Sequence, residues 1–304
     1  MREYIRYICQ HKMITAIVTT TGGIEEDIMK LFADHFLGDF SLDGEKLRKM
    51  GYNRIGNLIV PNANYSNLEE WFKPLVKELH DIQIASGNKT FFTPSEIIYK
   101  IGEKLDKENH PKKEESIYYW CFKNDIDVFC PAFTDGALGD VMYFDSYREQ
   151  GFICDINRDL RKLNEKAMRA KKSGQIIIGG GVIKHHINNA HLMRNGADYS
   201  VLVNTAQEFD GSDAGARPDE AISWGKIAIG AKSTKVYAEA TLVMPIIIGE
   251  TFVRNFELAK RTWSKDFPYS FQHKVPTCTN IGKFQKKLVL YFMNLFSIQI
   301  PNDL

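Results

Sequence analysis

Six carboxylates, one tryptophan and one lysine have the types and spacing to handle a cationic substrate. The acids are Glu25, Glu26, Asp135, Asp140, Asp213 and Glu220; Trp224 and Lys226 belong to the run Ser223-Trp224-Gly225-Lys226-Ile227. Two readings of the acids are open. Carboxylates at helix starts stabilise the macrodipole by roughly 0.3–1 kcal/mol, a capping role that suits Glu25 and Asp219. Capping accounts less well for the whole set, because like charges in one cleft repel unless a cation sits among them. Trp224 adds an aromatic face for an ammonium group. Several carboxylates plus an indole make a receptor for an extended polycation such as a polyamine, with Lys226 facing it. A lysine there is either an ion-pair partner or a nucleophilic amine. His185 and His186 point about 100° apart on a helix, so no metal pair is expected. The working histidine is either packed and hydrogen-bonded or a proton shuttle beside Lys226.

Two glycine turns accompany these groups. Gly179-Gly180-Gly181, between a strand and a helix, lets backbone approach a pyrophosphate at a helix N-terminus. It lacks G-x-G-x-x-G spacing, and close packing of helix on strand is the other reading. Thr20-Thr21-Gly22-Gly23 is a similar turn with hydroxyls added, and together the two make a nucleotide site.

Positioning these residues falls to short β-branched runs that alternate with helical patterns. Predicted strands are TAIVTT (15–20), NRIGNLIV (53–60), IDVFCPA (126–132), QIIIGG (175–180), YSVLVNT (199–205) and KVYAEA (235–240). Predicted helices begin near Glu25, at Thr93-Pro94 with Glu96 completing a capping box, and in ESIYYWCFKN, IKHHINNAHLMRN, PDEAISWG and TLVMPIIIGETF. Gly196 is expected just past the end of one of them. The alternation predicts an α/β fold, a Rossmann-like parallel sheet with helices on both faces. Ligands in such sheets bind beyond the carboxyl ends of the strands, where the glycines and acids fall.

Composition narrows the class. The 39 basic and 38 acidic residues leave a net charge of +1, which gives no electrostatic case for nucleic acid or an anionic membrane. Cys9, Cys121, Cys130, Cys154 and Cys278 have no C-x-x-C spacing and read as reduced thiols in a reducing, cytoplasmic setting. No secretory signal is expected. The apolar run 288–300 is too short to span a bilayer.

The stretch GGGVIKHHINNAHLMRNGADYSVLVNTAQEFDGSDAGARPDEAISWGKI resembles deoxyhypusine synthase. VTTTGGIEED, NRIGNLIVPNANY, PAFTDGALGD and KVYAEATLVMPIIIGETF are similar to the same family, in unbroken order over residues 1–258. The resemblance implies an NAD-dependent enzyme that moves the butylamine part of spermidine, through an enzyme-lysine imine, to a lysine of the eukaryotic translation initiation factor 5A precursor. It implies Lys226 as the imine-forming lysine and His185 as the working histidine. Spermidine contacts map onto Glu26, Asp140, Asn189, Asp213, Glu220 and Trp224. NAD contacts map onto Thr20, Thr21, Gly22, Asp135, Gly180, Thr205, Gly211, Ser212, Glu239 and Ala240, with Glu239 standing where the family usually has Asp. A cytoplasmic homotetramer without metal is implied. Residues 1–263 are expected to form the catalytic domain. The family's first strand and its Ser/Asn-rich cofactor loop align before Met1, so the chain is expected to be N-terminally incomplete. Residues 264–304 are expected to be an extension beyond the family's usual end. Alternatives are a non-catalytic regulatory paralogue and a homospermidine synthase that passes the butylamine group to putrescine.

Overall fold

The computed structural model describes residues 1–148 and 150–257; the expected extension 264–304 and Cys278 lie outside the described residues. Two compact units divide the chain near residue 166.

The first unit opens with α1 (Arg2–Gln10), β1 (Ala16–Val18) and α2 (Thr21–Phe32). Next come β2 (Phe36–Leu37), α3 (Gly44–Lys49), β3 (Tyr52–Ile55) and β4 (Leu58–Pro61). The helices α4 (Asn62–Ala85), α5 (Pro94–Lys107) and α6 (Ile117–Asn124) follow. The unit closes with β5 (Asp127–Phe129), α7 (Ala137–Ser146) and α8 (Ile156–Arg169). β1 and β5 pair in parallel, Ile17 opposite Val128. A three-stranded antiparallel sheet, order β2-β4-β3, stands apart from that pair. This corrects one expectation: NRIGNLIV is not one strand but a hairpin. Gly56, at φ +60°, reverses the chain between Ile55 and Leu58.

Helical spacing builds the core of this unit. α4 sends Leu68, Phe72, Leu75, Val76 and Leu79 inward, and α5 sends Ile97, Ile98, Ile101 and Leu105. Phe72 is wholly buried, and truncating such a side chain to alanine costs about 3–5 kcal/mol. The expected capping box is present: Thr93 Oγ1 accepts from Glu96 N at 3.2 Å, and Glu96 Oε2 accepts from Thr93 N at 2.9 Å. Asp27, buried in α2, accepts from Ser116 Oγ (2.7 Å) and Ile117 N (3.0 Å), capping α6 from another helix. Cys9 and Cys121 are also inside, sulfurs 3.8 Å apart, and burial with the Cys9 contact pushes the Cys121 thiol up.

The second unit runs β6 (Gly174–Ile178), α9 (Val182–Leu192), β7 (Ala197–Asn204), α10 (Pro218–Ser223), β8 (Ile227–Tyr237) and α11 (Ala240–Ile248). A single π-helical turn, Gly249–Val253, follows. Its three strands are parallel with β7 central. Burial on both faces of β7 explains its unbroken apolar run, Val201 to Val203. β8 is longer than predicted and starts at Ile227. The register slips between Ala197 and Tyr199 as Gly230 (φ +77°) adds a bulge. It also stops sooner, at Tyr237, which frees Glu239 to cap α11. Gly196 sits in the left-handed region at φ +101°, its N–H bonded to His191 O at 2.9 Å. A Cβ there would lie 2.3 Å from Ala228 N, so the close approach also demands glycine. Among the described residues no helix is long and apolar enough to cross a membrane.

Candidate active site

Lys226 owes its place to the way α10 ends. Gly225 N–H bonds Ile222 O (2.9 Å) and Lys226 N–H bonds Ala221 O (2.8 Å), with Gly225 at φ +74°. That is a Schellman termination, in which the residue after the left-handed glycine leaves the helix in a fixed direction. Lys226 O then accepts from Ala197 N at 3.0 Å, tying the lysine to the start of β7. The Trp-Gly-Lys order is therefore a stop signal with the lysine on its far side. Lys226 is 8% exposed, while Trp224 is 63% exposed. The Lys226 Nζ lies 5.1 Å from the centroid of the Trp224 ring, a cation–π contact at the edge of solvent.

Asp213 and Glu220 stand beside this lysine. The two carboxyls act on each other in opposite senses. The contact with Asp213, burial and the Asp213 charge push the Glu220 pKa up, against the pull of Lys184 and Lys226. Burial would raise Asp213 too, but the bond from Glu220 and the Lys184 ammonium outweigh it and hold Asp213 below the usual range. His185 lies on the exposed side of α9 and adds a weaker pull on Asp213. Its neighbour Asn189 is half-buried on the same helix.

The strand ends around this group carry the expected cofactor residues. Gly180 packs against Ala214, where a Cβ would come within 2.8 Å, so that glycine serves close packing, though against a loop and not a helix. Gly179, Gly181 and Gly211 have open space where a Cβ would sit. Gly181 leaves α9 with no side-chain cap, so its first N–H groups are available to an anion. Thr205 is exposed after β7. Ser212 donates its hydroxyl to Asp210 Oδ1 at 2.8 Å, so its hydrogen is already engaged. Glu239 caps α11, accepting from Leu242 N at 3.1 Å and from the Thr241 hydroxyl, and those bonds hold its pKa down. Ala240 opens that helix. Open glycine backbone, an uncapped helix start and an exposed acid at adjacent parallel strand ends fit a dinucleotide.

In the first unit the predicted residues gather around β1 and β5. α2 begins at Thr21, four residues earlier than expected, with Thr20 as N-cap. The Thr21 hydroxyl lies 2.9 Å from both Ala132 O and Phe133 O, so it is committed to the segment after β5. Gly22 is half-buried at that turn, and Asp135 and Asp140 are exposed. Glu26 pairs with Lys30 on its own helix at 3.0 Å. Glu25 departs most from its predicted role. It lies inside α2 and caps a different helix: its Oε2 accepts from Leu138 N at 3.3 Å, at the start of α7. Gly136, the N-cap residue of α7, offers no side chain for the purpose.

Two lysines escaped sequence reading. Lys184, 3% exposed, contacts Asp213 through both the carboxylate (Oδ1, 3.1 Å) and the backbone carbonyl. Lys235 donates to Ala206 O (3.0 Å) and Gly215 O. The available signal for Lys184 was a cation in the first turn of a helix, where the macrodipole disfavours it. A cavity of about 560 Å³ elsewhere in the first unit, lined by Phe91, Tyr99 and Phe122, contains none of these residues. Among its charges Arg158 pairs with Glu96 and Lys162 with Asp127.

Parallel strands whose carboxyl ends carry glycine turns and exposed acids, with a buried lysine just before the last of them, define an α/β enzyme of the Rossmann-like kind. The family model for deoxyhypusine synthase matches residues 1–251. A Drosophila melanogaster protein named "Probable deoxyhypusine synthase" is 57% identical over 259 residues, covering 85% of this chain and 68% of that one. The deoxyhypusine synthase of Senecio vernalis is 52% identical, covering 84% and 68%. A crystal structure from Entamoeba histolytica, assigned to deoxyhypusine synthase, superposes with a TM-score of 0.59 at 33% identity, over 83% of this chain and 70% of that one. The chain belongs to the deoxyhypusine synthase family, a family of transferases, and spans about two thirds of the length of these relatives.

Proposed function

We propose that this chain transfers the butylamine part of spermidine, through an imine on Lys226, to a lysine of the eukaryotic translation initiation factor 5A precursor. The observation that carries the reading is a buried lysine whose ammonium lies 5.1 Å from the centroid of an exposed indole, with the Glu220 carboxyl acting on it. NAD, when bound, would take up the hydride removed from the amine and give it back once the butylamine group is on the acceptor lysine. The proposed NAD ligands are Thr20, Thr21, Gly22 and Asp135 in the first unit. In the second unit they are Gly180, Thr205, Gly211, Ser212, Glu239 and Ala240.

The chain's own residues divide the remaining work. The ionised Asp213 and the Trp224 face hold the cationic amine, with Glu26, Asp140 and Asn189 as further spermidine ligands. Glu220 exchanges a proton beside Asp213, and His185 relays a proton to or from Lys226. Lys226 attacks the dehydrogenated carbon as the free amine, 1,3-diaminopropane leaves as the C–N bond to it breaks, and the indole covers the imine so formed. Residues 1–263 form the proposed catalytic region, acting as a cytoplasmic homotetramer.

Borohydride trapping tests this reading. The protein is incubated with NAD and labelled spermidine, reduced, and digested. Label is expected on the peptide containing Ser223-Trp224-Gly225-Lys226, with none in Lys226→Arg, because guanidinium stays protonated and does not form imines. Label on another lysine, or full transfer to factor 5A by Lys226→Arg, refutes the assignment.

A further inference from the structure

We infer that Lys184 is a positioning residue for the amine site: it clamps the Asp213 carboxylate and backbone so that the Asp213–Glu220 pair faces the substrate ammonium in one fixed arrangement. This deepens the function proposed above and rests on it for the identity of the amine. Lys184 is unusual on two counts. Its ammonium is almost wholly buried, which is costly unless the charge is paired. It also occupies the first turn of the eleven-residue helix α9, at the positive end of the helix dipole. Helix formation alone would not place a cation there. Both costs are offset by one partner, Asp213, reached at Oδ1 (3.1 Å) and at its carbonyl oxygen.

Asp213 needs such a clamp. It lies on a segment between Thr205 and Arg217 whose only regular structure is two short 3₁₀ turns. Its side chain is half exposed. The Gly180–Ala214 contact and the Lys235 bond to Gly215 O fix the neighbouring backbone. Neither fixes the Asp213 carboxylate, which touches Lys184 and Glu220.

The charged groups around the pair come from three elements. Lys184 and His185 of α9 act on Asp213, together with Glu220 of α10. Lys184 and Lys226 act on Glu220, and Lys184 in turn helps lower Lys235 of β8, after burial. Lys184 lowers both acids, but it bonds directly only to Asp213. Its removal therefore raises Asp213 more than Glu220, and the anion that should meet the amine is lost at higher pH than in the wild type. Buried against Asp213, Lys184 itself does not touch substrate.

Two measurements on Lys184→Met and Lys184→Arg test this. Carboxyl carbon NMR of the free protein follows Asp213 directly. Asp213 is expected to titrate at higher pH in Lys184→Met and close to wild type in Lys184→Arg. Calorimetric binding of spermidine from pH 5 to pH 9 should weaken roughly tenfold in Lys184→Met at mid-range, the size of one lost buried pairing. Its acid limb should move upward, with most of the loss recovered by Lys184→Arg. A purely structural lysine would lower the melting temperature and leave both pH limbs in place, and that result overturns the inference. Should Lys184→Met fail to fold, Lys184→Gln, which can donate to Asp213 without charge, gives the same comparison. A wild type that folds but neither binds spermidine nor traps label at Lys226 sinks the proposed function; the Asp213 titration still decides the role of Lys184.

Discussion

Replacing Glu25 by alanine should loosen the start of α7, a helix that Glu25 does not belong to. The carboxylate is 9% exposed and accepts from the N–H of Leu138, whose side chain is wholly buried. Alanine leaves that N–H without a partner, at a cost of about 1–3 kcal/mol. The lost charge at a helix N-terminus adds roughly 0.3–1 kcal/mol. Opposing this, the variant is relieved of a carboxyl whose pKa is pushed up by burial, against its backbone bonds, and by Glu26 and Asp140. A net loss of about 1–3 kcal/mol corresponds to a fall in melting temperature of roughly 2–12 °C for a chain of this size. Exchange of the Leu138 amide should quicken more than that of amides in α5, since the damage is local. Glu25→Gln separates charge from bonding. With its folded pKa raised, the wild-type carboxyl contributes stability below its unfolded pKa and loses it as pH rises through the folded value. The melting temperature of Glu25→Gln should therefore gain on wild type as pH rises above 4.5. An alanine variant that melts within error of wild type, with Leu138 exchange unchanged, would show that the carboxylate does not cap α7.

Two other substitutions probe the same framework. Trp224→Ala should leave thermal stability almost unchanged, because the indole is 63% exposed; the lost cation–π face should weaken spermidine binding about 2- to 5-fold by calorimetry, and unchanged affinity would remove Trp224 from the amine site. Burial would raise the Asp127 carboxyl, but bonds from Lys162 and Lys166 hold it below its usual range. The wild type should therefore lose stability as acid titrates that carboxyl. Acid unfolding of the double variant Lys162→Met, Lys166→Met should depend less on pH there, and identical profiles would contradict this.

What could be read from the chain divides along physical lines. Local signals held: the Thr93–Glu96 capping box and the left-handed Gly196 are written within a few residues of one another. The parallel strands were visible because burial on both faces leaves short unbroken apolar runs, Val201 to Val203 in β7. The hairpin at Gly56 was legible but overlooked: Gly56-Asn57 between Ile55 and Leu58 is a two-residue turn signal, and the positive φ of Gly56 uses it. No element was placed between Pro61 and Thr93, although α4 fills most of that stretch; Pro74 inside the helix interrupts its signal. Glu25 and Lys184 mark the deeper limit. Glu25 caps a helix 113 residues away in sequence, and Lys184 binds an acid 29 residues on. Spacing encodes neighbours along an element, whereas these two partners meet only after the chain has folded.

The pair of inward sulfurs between α1 and α6 makes the first unit a recorder of its own opening. Cys9 and Cys121 are 0% and 3% exposed, and a thiol must be both reachable and ionised to react. A disulfide reagent in solution should thus meet them only when the helices part. Its labelling rate at rising reagent concentration passes from the equilibrium share of open molecules to the speed of opening itself. Few surface probes report either quantity, and here the chain carries its own clock.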